Sequence, residues 1–361
     1  MKCGIVGLPN VGKSTLFNAL IGEIKAQAAN YPFCTIEPNS GIVSVPDARL
    51  EVLARMCDSK EIVPARLEFV DIAGLVKGAS RGEGLGNKVL ANIREVDAVI
   101  HVVRCFEDKN IARAGGNGGA DDPPDPRGDV DVVNAELMLA DMESLQRRLP
   151  LLEKKAKSGD RDAGAEAGVM ARVLDGLERG LPAVGLALDE AEKKMLGGFS
   201  LLTAKPTLMV ANVDEASAAG GNAYSGRLDG AIVVSARIEE EIAALPLGER
   251  EGFLSGLGLG ETGLSKIIRG AYGRLNLITF FTAGAKETRA WTVRKGTRAP
   301  SAAGVIHTDF ECGFIRAEAV SYADFVASGG AHGAREKGLL RSEGRDYEVA
   351  DGDIMHFLFN R

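Results

Sequence analysis

Three clusters of residues in this chain are of the types and spacing that bind and cleave a phosphoanhydride. The first is Gly7-Leu8-Pro9-Asn10-Val11-Gly12-Lys13-Ser14. Glycines at this spacing let backbone N–H groups close around phosphate oxygens, and a helix starting there adds its positive N-terminal end. Lys13 can then reach the β- and γ-phosphates of a nucleoside triphosphate, and the Ser14 hydroxyl can ligate Mg²⁺. Gly-Lys-Ser also occurs in purely structural turns, so context decides. Apolar Cys3-Gly4-Ile5-Val6 precedes the loop, and Thr15-Leu16-Phe17-Asn18-Ala19-Leu20-Ile21 continues it with Leu16, Leu20 and Ile21 on one helical face. Asn10, Val11, Gly12 and Thr15 complete the expected phosphate cradle around Lys13 and Ser14.

The second cluster is Phe69-Val70-Asp71-Ile72-Ala73-Gly74. An Asp at the carboxyl end of a parallel strand sits beside a nucleotide crevice, where it supports Mg²⁺ through water, and Gly74 can bring a backbone N–H to the γ-phosphate. Asp-x-x-Gly alone is a common turn; the upstream loop gives it meaning. The third cluster is Tyr31-Pro32-Phe33-Cys34-Thr35-Ile36-Glu37-Pro38. Thr35 there can offer Mg²⁺ a second hydroxyl once γ-phosphate is bound. The expected machinery is therefore Lys13 and Gly74 on the transferred phosphoryl group, with Ser14, Thr35 and Asp71 around the metal.

The elements that must position these residues are legible as apolar runs. Cys3–Gly7, Leu67–Asp71, Ala98–Val103, Thr207–Ala211 and Ala231–Ser235 are near-continuously apolar and rich in β-branched residues. Such runs predict a parallel sheet covered on both faces, hence a doubly wound α/β domain. Residues 114–129, rich in Gly, Asp and Pro, predict a loop or mobile linker. Beyond them, Met138, Met142, Leu145, Leu149 and Leu152 recur at four and three, as do Met170, Leu174, Leu177 and Leu181, with Lys157-Ser158-Gly159-Asp160 as a turn between. That pattern predicts an antiparallel helical hairpin inserted in the α/β domain, with Pro150 kinking or ending its first helix. After residue 276, strand-like Ile278–Thr282, Arg289–Val293 and Ile354–Phe359 with Gly-rich connections predict a small α+β module. The expected partition is 1–130 and 198–275 for the nucleotide-binding domain, 131–197 for the hairpin and 276–361 for the C-terminal module.

Bulk properties bound the rest. The 361 residues are 45% hydrophobic and 26% charged, with a formal net charge of −7. No chain-wide basic surface exists for DNA. Five cysteines, scattered without metal-ligand spacing, predict free thiols in a reducing compartment. Met1-Lys2 leads straight into an apolar strand and no run of 18 apolar residues occurs, so neither a signal peptide nor a membrane partner is expected and the predicted location is cytoplasmic.

The motifs also carry a resemblance. Gly7 through Leu20, Asn30 through Asn39 and Asp71 through Ala79 resemble the Obg-like ATPase family, as do Arg289-Ala290-Trp291-Thr292 and His307-Thr308-Asp309-Phe310-Glu311 near the end. The resemblance covers essentially the whole chain. It implies an Obg-type nucleotide-binding domain, an inserted helical hairpin and a C-terminal TGS domain of β-grasp type. It also implies a ribosome-associated ATPase, with the ribosome or its large subunit as partner.

Base choice follows from Asn212-Val213-Asp214-Glu215. A guanine site of the Asn-Lys-x-Asp kind places Asp at the fourth position; here Glu215 stands there and no Lys follows Asn212. A site built for one polar pairing discriminates strongly once that pairing is lost. The resemblance accordingly implies ATP over GTP, with the backbone around Val213 meeting adenine and Ser235-Ala236 closing the base site. Leu75 follows Gly74 where many relatives of the fold carry Gln, and it cannot orient a water by hydrogen bonding. Slow, assisted turnover is expected, suiting a switch with GTP hydrolysis or mere nucleotide-gated binding as the competing readings. Asn10 is one candidate for recruiting K⁺ as that assistance, shaping of the loop being the alternative. Arg113 stands where several relatives carry His, so the role of that His does not transfer. Gly78–Asn87 is glycine-dense and can order with triphosphate. Arg147, Arg148, Lys154, Lys155 and Lys157 can meet rRNA phosphate or form a solvated face. His307 is expected to serve as a core or capping residue.

Overall fold

The computed structural model describes residues 1–28, 36–37, 39–75, 78, 85–108 and 123–360. Thr35, Arg113 and most of the 78–87 segment lie outside the described residues. The chain forms two compact units. One comprises residues 1–22, 37–40 and 69–264; the other comprises residues 23–36, 41–68 and 265–361.

The elements run β1 (Lys2–Val6), α1 (Lys13–Ala28), β2 (Ile36–Glu37), β3 (Ser40–Ser44), α2 (Ala48–Met56), β4 (Glu61–Val63), β5 (Arg66–Asp71), α3 (Leu85–Glu95) and β6 (Ala98–Arg104). There follow α4 (Pro126–Lys157), α5 (Arg161–Glu178), α6 (Glu190–Gly197), β7 (Thr207–Asn212), β8 (Ile232–Val234), α7 (Ala236–Ala244), α8 (Leu247–Gly256) and α9 (Gly263–Arg274). The last part holds β9 (Leu277–Ala283), β10 (Glu287–Arg294), α10 (Ala299–Ile306), α11 (Thr308–Cys312), β11 (Phe314–Ser321), α12 (Tyr322–Ala327), α13 (Ala331–Glu336), β12 (Arg341–Glu343) and β13 (Asp353–Phe359).

Seven strands form one sheet in the order β2-β3-β5-β1-β6-β7-β8. The pairs β1/β6, β6/β7 and β7/β8 are parallel. Every residue of β6 is buried, as expected of a strand covered on both faces. This is the P-loop fold: Gly7 and Ser235 follow β1 and β8, and β5 and β7 end on Asp71 and Asn212.

The inserted hairpin packs α4 against α5 through Leu145, Val169, Met170, Val173 and Leu177, with Met138, Met142, Leu149, Leu152 and Leu174 half-buried around them. Ser158 and Asp160 cap the two helices at the turn. Three expectations need correction. Residues 126–129 belong to helix, because Asp125 caps it and Pro126 occupies the first turn, where a missing N–H costs nothing. Helix α4 does not end at Pro150; packing of Leu149 and Leu152 on the facing helix continues on both sides of it. Leu181 falls beyond α5 and is exposed.

Helix α4 also buries carboxylates. Asp129, Glu136 and Asp141 are all buried. Asp141 accepts from the amides of Leu202 and Thr203 and from the Thr203 hydroxyl, at 2.8–2.9 Å. Glu136 accepts from the Gly78 amide at 2.6 Å. These satisfied carboxylates specify where the helix attaches in a way that apolar contact would not.

The second unit holds a six-stranded sheet in the order β12-β11-β13-β9-β10-β4. Its core joins Phe280, Phe314, Met355 and Phe357 with Ala299, Ala302 and Ala303 of α10. Strand β4 pairs in parallel with Glu287–Arg289 of β10. Arg49 of α2 donates to Asp351 at 2.7 Å and to Asp47 at 2.8 Å. His307 caps α11, its Nδ1 accepting from the Asp309 amide, so the capping alternative is the one realised.

Candidate functional site

The phosphate loop turns directly out of β1. Asn10 and Gly12 have φ of 64° and 94°, the left-handed conformation that Gly and Asn tolerate best. A Cβ on Gly12 would lie 2.2 Å from Asn212 Nδ2, so side-chain packing as well as torsion demands glycine there. The Gly12 carbonyl accepts from the Leu16 amide at 3.0 Å and starts α1.

Lys13 is buried, and its Nζ donates to the Leu8 carbonyl at 2.7 Å. Burial lowers its pKa, and the nearby Asp71 carboxylate works in the opposite sense. Asp71 is raised by burial, against the charge of Lys13 and a hydrogen bond from Ser14. Its Oδ1 is buried with no hydrogen-bond partner among the described residues. An unsatisfied carboxylate oxygen beside a serine hydroxyl is a donor set that fits Mg²⁺. Gly74 lies against the loop: a Cβ there would fall 3.2 Å from both Lys13 Nζ and the Pro9 nitrogen. The Leu75 amide donates to Gly7 O at 3.1 Å and its side chain is fully buried.

A cavity of about 540 Å³ opens beside the loop. Asn10, Gly12, Lys13, Ser14 and Thr15 of the loop line it, as do Asn212, Val213, Glu215, Ser235 and Ala236. A volume of this order accommodates a nucleotide. Val11 is the exception: it is buried below the surface, and its carbonyl accepts from Asn212 Nδ2 at 2.9 Å. The same Asn212 accepts the Ala236 amide at Oδ1, also at 2.9 Å. Asn212 thus ties the phosphate loop to the start of α7. Glu215 pairs with Arg237 at 3.0 Å. Ser235 Oγ is buried without a partner among the described residues.

Several lining residues escaped sequence reasoning: Phe106, Glu107 and Asp108 after β6, and Arg237 and Glu240 on α7. The first three follow the strand paired with β7, a position that becomes informative only once strand order is known. His101 is another. It is buried in β6 beside Val6, and its pKa falls to about 4 through burial and then through the charge of Lys13.

A parallel sheet, a glycine-rich loop feeding a helix and an Asp-x-x-Gly beside its lysine define a P-loop nucleotide hydrolase. Residues 2–121 match a family model described as a 50S ribosome-binding GTPase, and residues 277–360 match the YchF-type GTPase C-terminal model, described as a protein of unknown function. The ribosome-binding ATPase YchF of Haemophilus ducreyi is 53% identical over 99% of both chains. That of Bacillus subtilis is 50% identical over 100% of this chain and 99% of its own. The solved Schizosaccharomyces pombe YchF GTPase superposes with a TM-score of 0.88 at 36% identity, covering 99% of this chain and 97% of that one. This chain belongs to the YchF family of Obg-like ATPases.

Proposed function

We propose that the chain is a Mg²⁺-dependent ATPase that hydrolyses ATP to ADP and phosphate slowly and serves as a switch on the ribosome. The observation that carries the base assignment is the state of Glu215. A guanine site needs a free carboxylate at this position to accept two hydrogen bonds, whereas Glu215 is one methylene longer and is engaged by Arg237.

Lys13 leaves the Leu8 carbonyl to bind β- and γ-phosphate oxygens, while the amides of Asn10 to Thr15 surround the phosphates. Ser14 and Thr35, with Asp71 acting through water, would hold Mg²⁺, which when bound would supply positive charge to the phosphates. Gly74 directs its N–H to the γ-phosphate. Leu75 provides no hydrogen bond to the attacking water, consistent with slow turnover, and K⁺ beside Asn10 is one source of assistance.

The ribosome assignment rests on relatives named ribosome-binding ATPases. The C-terminal module from residue 276, read as a TGS domain, and the exposed basic residues of the 131–197 hairpin are the surfaces proposed to contact it. No helix among the described residues is long and apolar enough to cross a membrane, and a cytoplasmic location fits a ribosomal partner.

Titrating the purified chain with ATP and GTP tests the base assignment. Tighter GTP binding overturns it in favour of a GTP-hydrolysing switch, the reading favoured by the GTPase description of the N-terminal model. Phosphate release with and without K⁺ and ribosomes tests the switch. Release no faster than from Lys13→Ala under every condition leaves a nucleotide-gated binding module instead. Co-sedimentation with ribosomes that weakens with salt supports the partner; absence of co-sedimentation in both ATP and ADP refutes it.

A further inference from the structure

Arg104 ends β6 and is 4% exposed. Burying a guanidinium is costly unless its donors are met. Its Nε donates to the Phe106 carbonyl at 3.0 Å and its Nη2 to the Asp108 carbonyl at 3.1 Å. The guanidinium carbon also lies 5.0 Å from the centre of the Phe106 ring. One side chain therefore holds two carbonyls and the aromatic ring of a three-residue segment, and all three residues line the nucleotide cavity.

Other restraints on this segment come from the β7 end of the sheet. The Cys105 amide donates to Asn212 O at 2.8 Å, Asn222 Nδ2 donates to Cys105 O at 2.7 Å, and the Tyr224 hydroxyl donates to Glu107. The segment is thus built into the side of the cavity that carries Asn212 and Val213. An aromatic ring held rigidly there offers a face or edge to a purine.

We infer that Arg104 is a positioning residue for the nucleoside half of the site. It acts through Phe106 and its neighbours and contributes to affinity through base and ribose, with no share in triphosphate binding. The inference rests on reading the cavity as the nucleotide site. Lysine cannot replace Arg104, because a single ammonium on a flexible stem does not span both carbonyls while stacking on the ring.

The test compares binding of ATP and of inorganic tripolyphosphate, each with Mg²⁺, to the full chain and to Arg104→Met, Arg104→Lys and Phe106→Ala. Loss of two charge-assisted bonds to the segment should weaken ATP about tenfold or more in both Arg104 variants. Tripolyphosphate affinity should stay within about twofold of the parent, and adding Arg104→Met to Phe106→Ala should cost less than about twofold more. Equal weakening of both ligands, or fully additive losses, overturns the inference. If Phe106→Ala weakens ATP while the Arg104 variants do not, the inference fails and the reading of the cavity stands. If Phe106→Ala leaves ATP binding unchanged, the nucleoside reading of that wall fails and the inference with it. Should Arg104→Met not fold, Arg104→Lys, which keeps the charge and most of the stem, supplies the same comparison.

Discussion

Replacing Asn212 with alanine separates two roles that the side chain could play. A base contact would lose nucleotide affinity and leave the free protein untouched. The structure instead gives Asn212 two buried bonds within the protein, to Val11 O and from the Ala236 amide, each 2.9 Å long. Alanine leaves that carbonyl and that amide unsatisfied, at about 1–3 kcal/mol apiece. Water entering the vacated space offsets part of this, so a loss of about 3 kcal/mol is expected. For a unit of this size each kcal/mol lowers the melting temperature by about 2–4 °C, giving a drop of roughly 6–12 °C. The assay is calorimetric or fluorescence-detected melting of the nucleotide-free chain. Asn212→Asp sharpens it: Oδ1 still accepts the Ala236 amide, but the other oxygen now faces the Val11 carbonyl. That variant should be at least as destabilised at pH 7 and should recover as the carboxyl takes up a proton that can donate. An Asn212→Ala chain that melts within about 1 °C of its parent yet no longer binds ATP refutes the reasoning.

His101 has its folded pKa held near 4, below the value of about 6.5 in the unfolded chain. The unfolded state therefore binds more protons between those values, and the stability due to neutral His101 is complete above pH 6.5 and lost as pH falls toward 4. The loss amounts to about 3 kcal/mol, and His101→Gln should remove that slope from denaturant unfolding measured between pH 7 and pH 4. Asp71→Asn relieves a buried carboxylate oxygen without a partner, so melting without metal should rise by a few degrees, about 1 kcal/mol, while Mg²⁺-dependent phosphate release disappears. Gly12→Ala adds a methyl that collides with Asn212 Nδ2 at a positive φ; loss of ATP binding together with a melting drop is expected, and an unchanged chain would contradict the geometry. Glu136→Leu strands the Gly78 amide that Glu136 accepts, whereas Glu136→Gln retains an acceptor. Hydrogen exchange at Gly78 should therefore accelerate in the first variant and change little in the second.

The phosphate loop was legible because all its parts lie within eight consecutive residues, and backbone torsion demands glycine there whatever surrounds it. Asp71 was legible for a similar reason: a strand-end carboxylate followed by Gly74 is a local pattern. The β-strands of the parallel sheet announced themselves through continuous apolar runs, and the hairpin through its seam. Two local rules misled. Of the two outcomes expected at Pro150, a kink or an end, the end does not occur, because packing on both sides of it maintains α4. Leu181 continued the spacing of α5 past the residue where the helix stops.

What the sequence could not reveal are pairings between distant residues. Asn212 and Val11 are 201 positions apart, and only strand order makes them neighbours. Nothing local marks Asn212 as a strut between the phosphate loop and α7. Arg49 and Asp351 are separated by 302 positions, and Glu61 of β4 pairs with Glu287 of β10. Arg104 reads as the polar end of an apolar strand until its carbonyl partners are seen. By itself, then, the sequence determined the chemistry of the phosphate end, because phosphate is held mainly by backbone torsions and contiguous side chains. Tertiary structure decided which further side chains line the cavity beyond that end, because the sheet brings them together from separate strands.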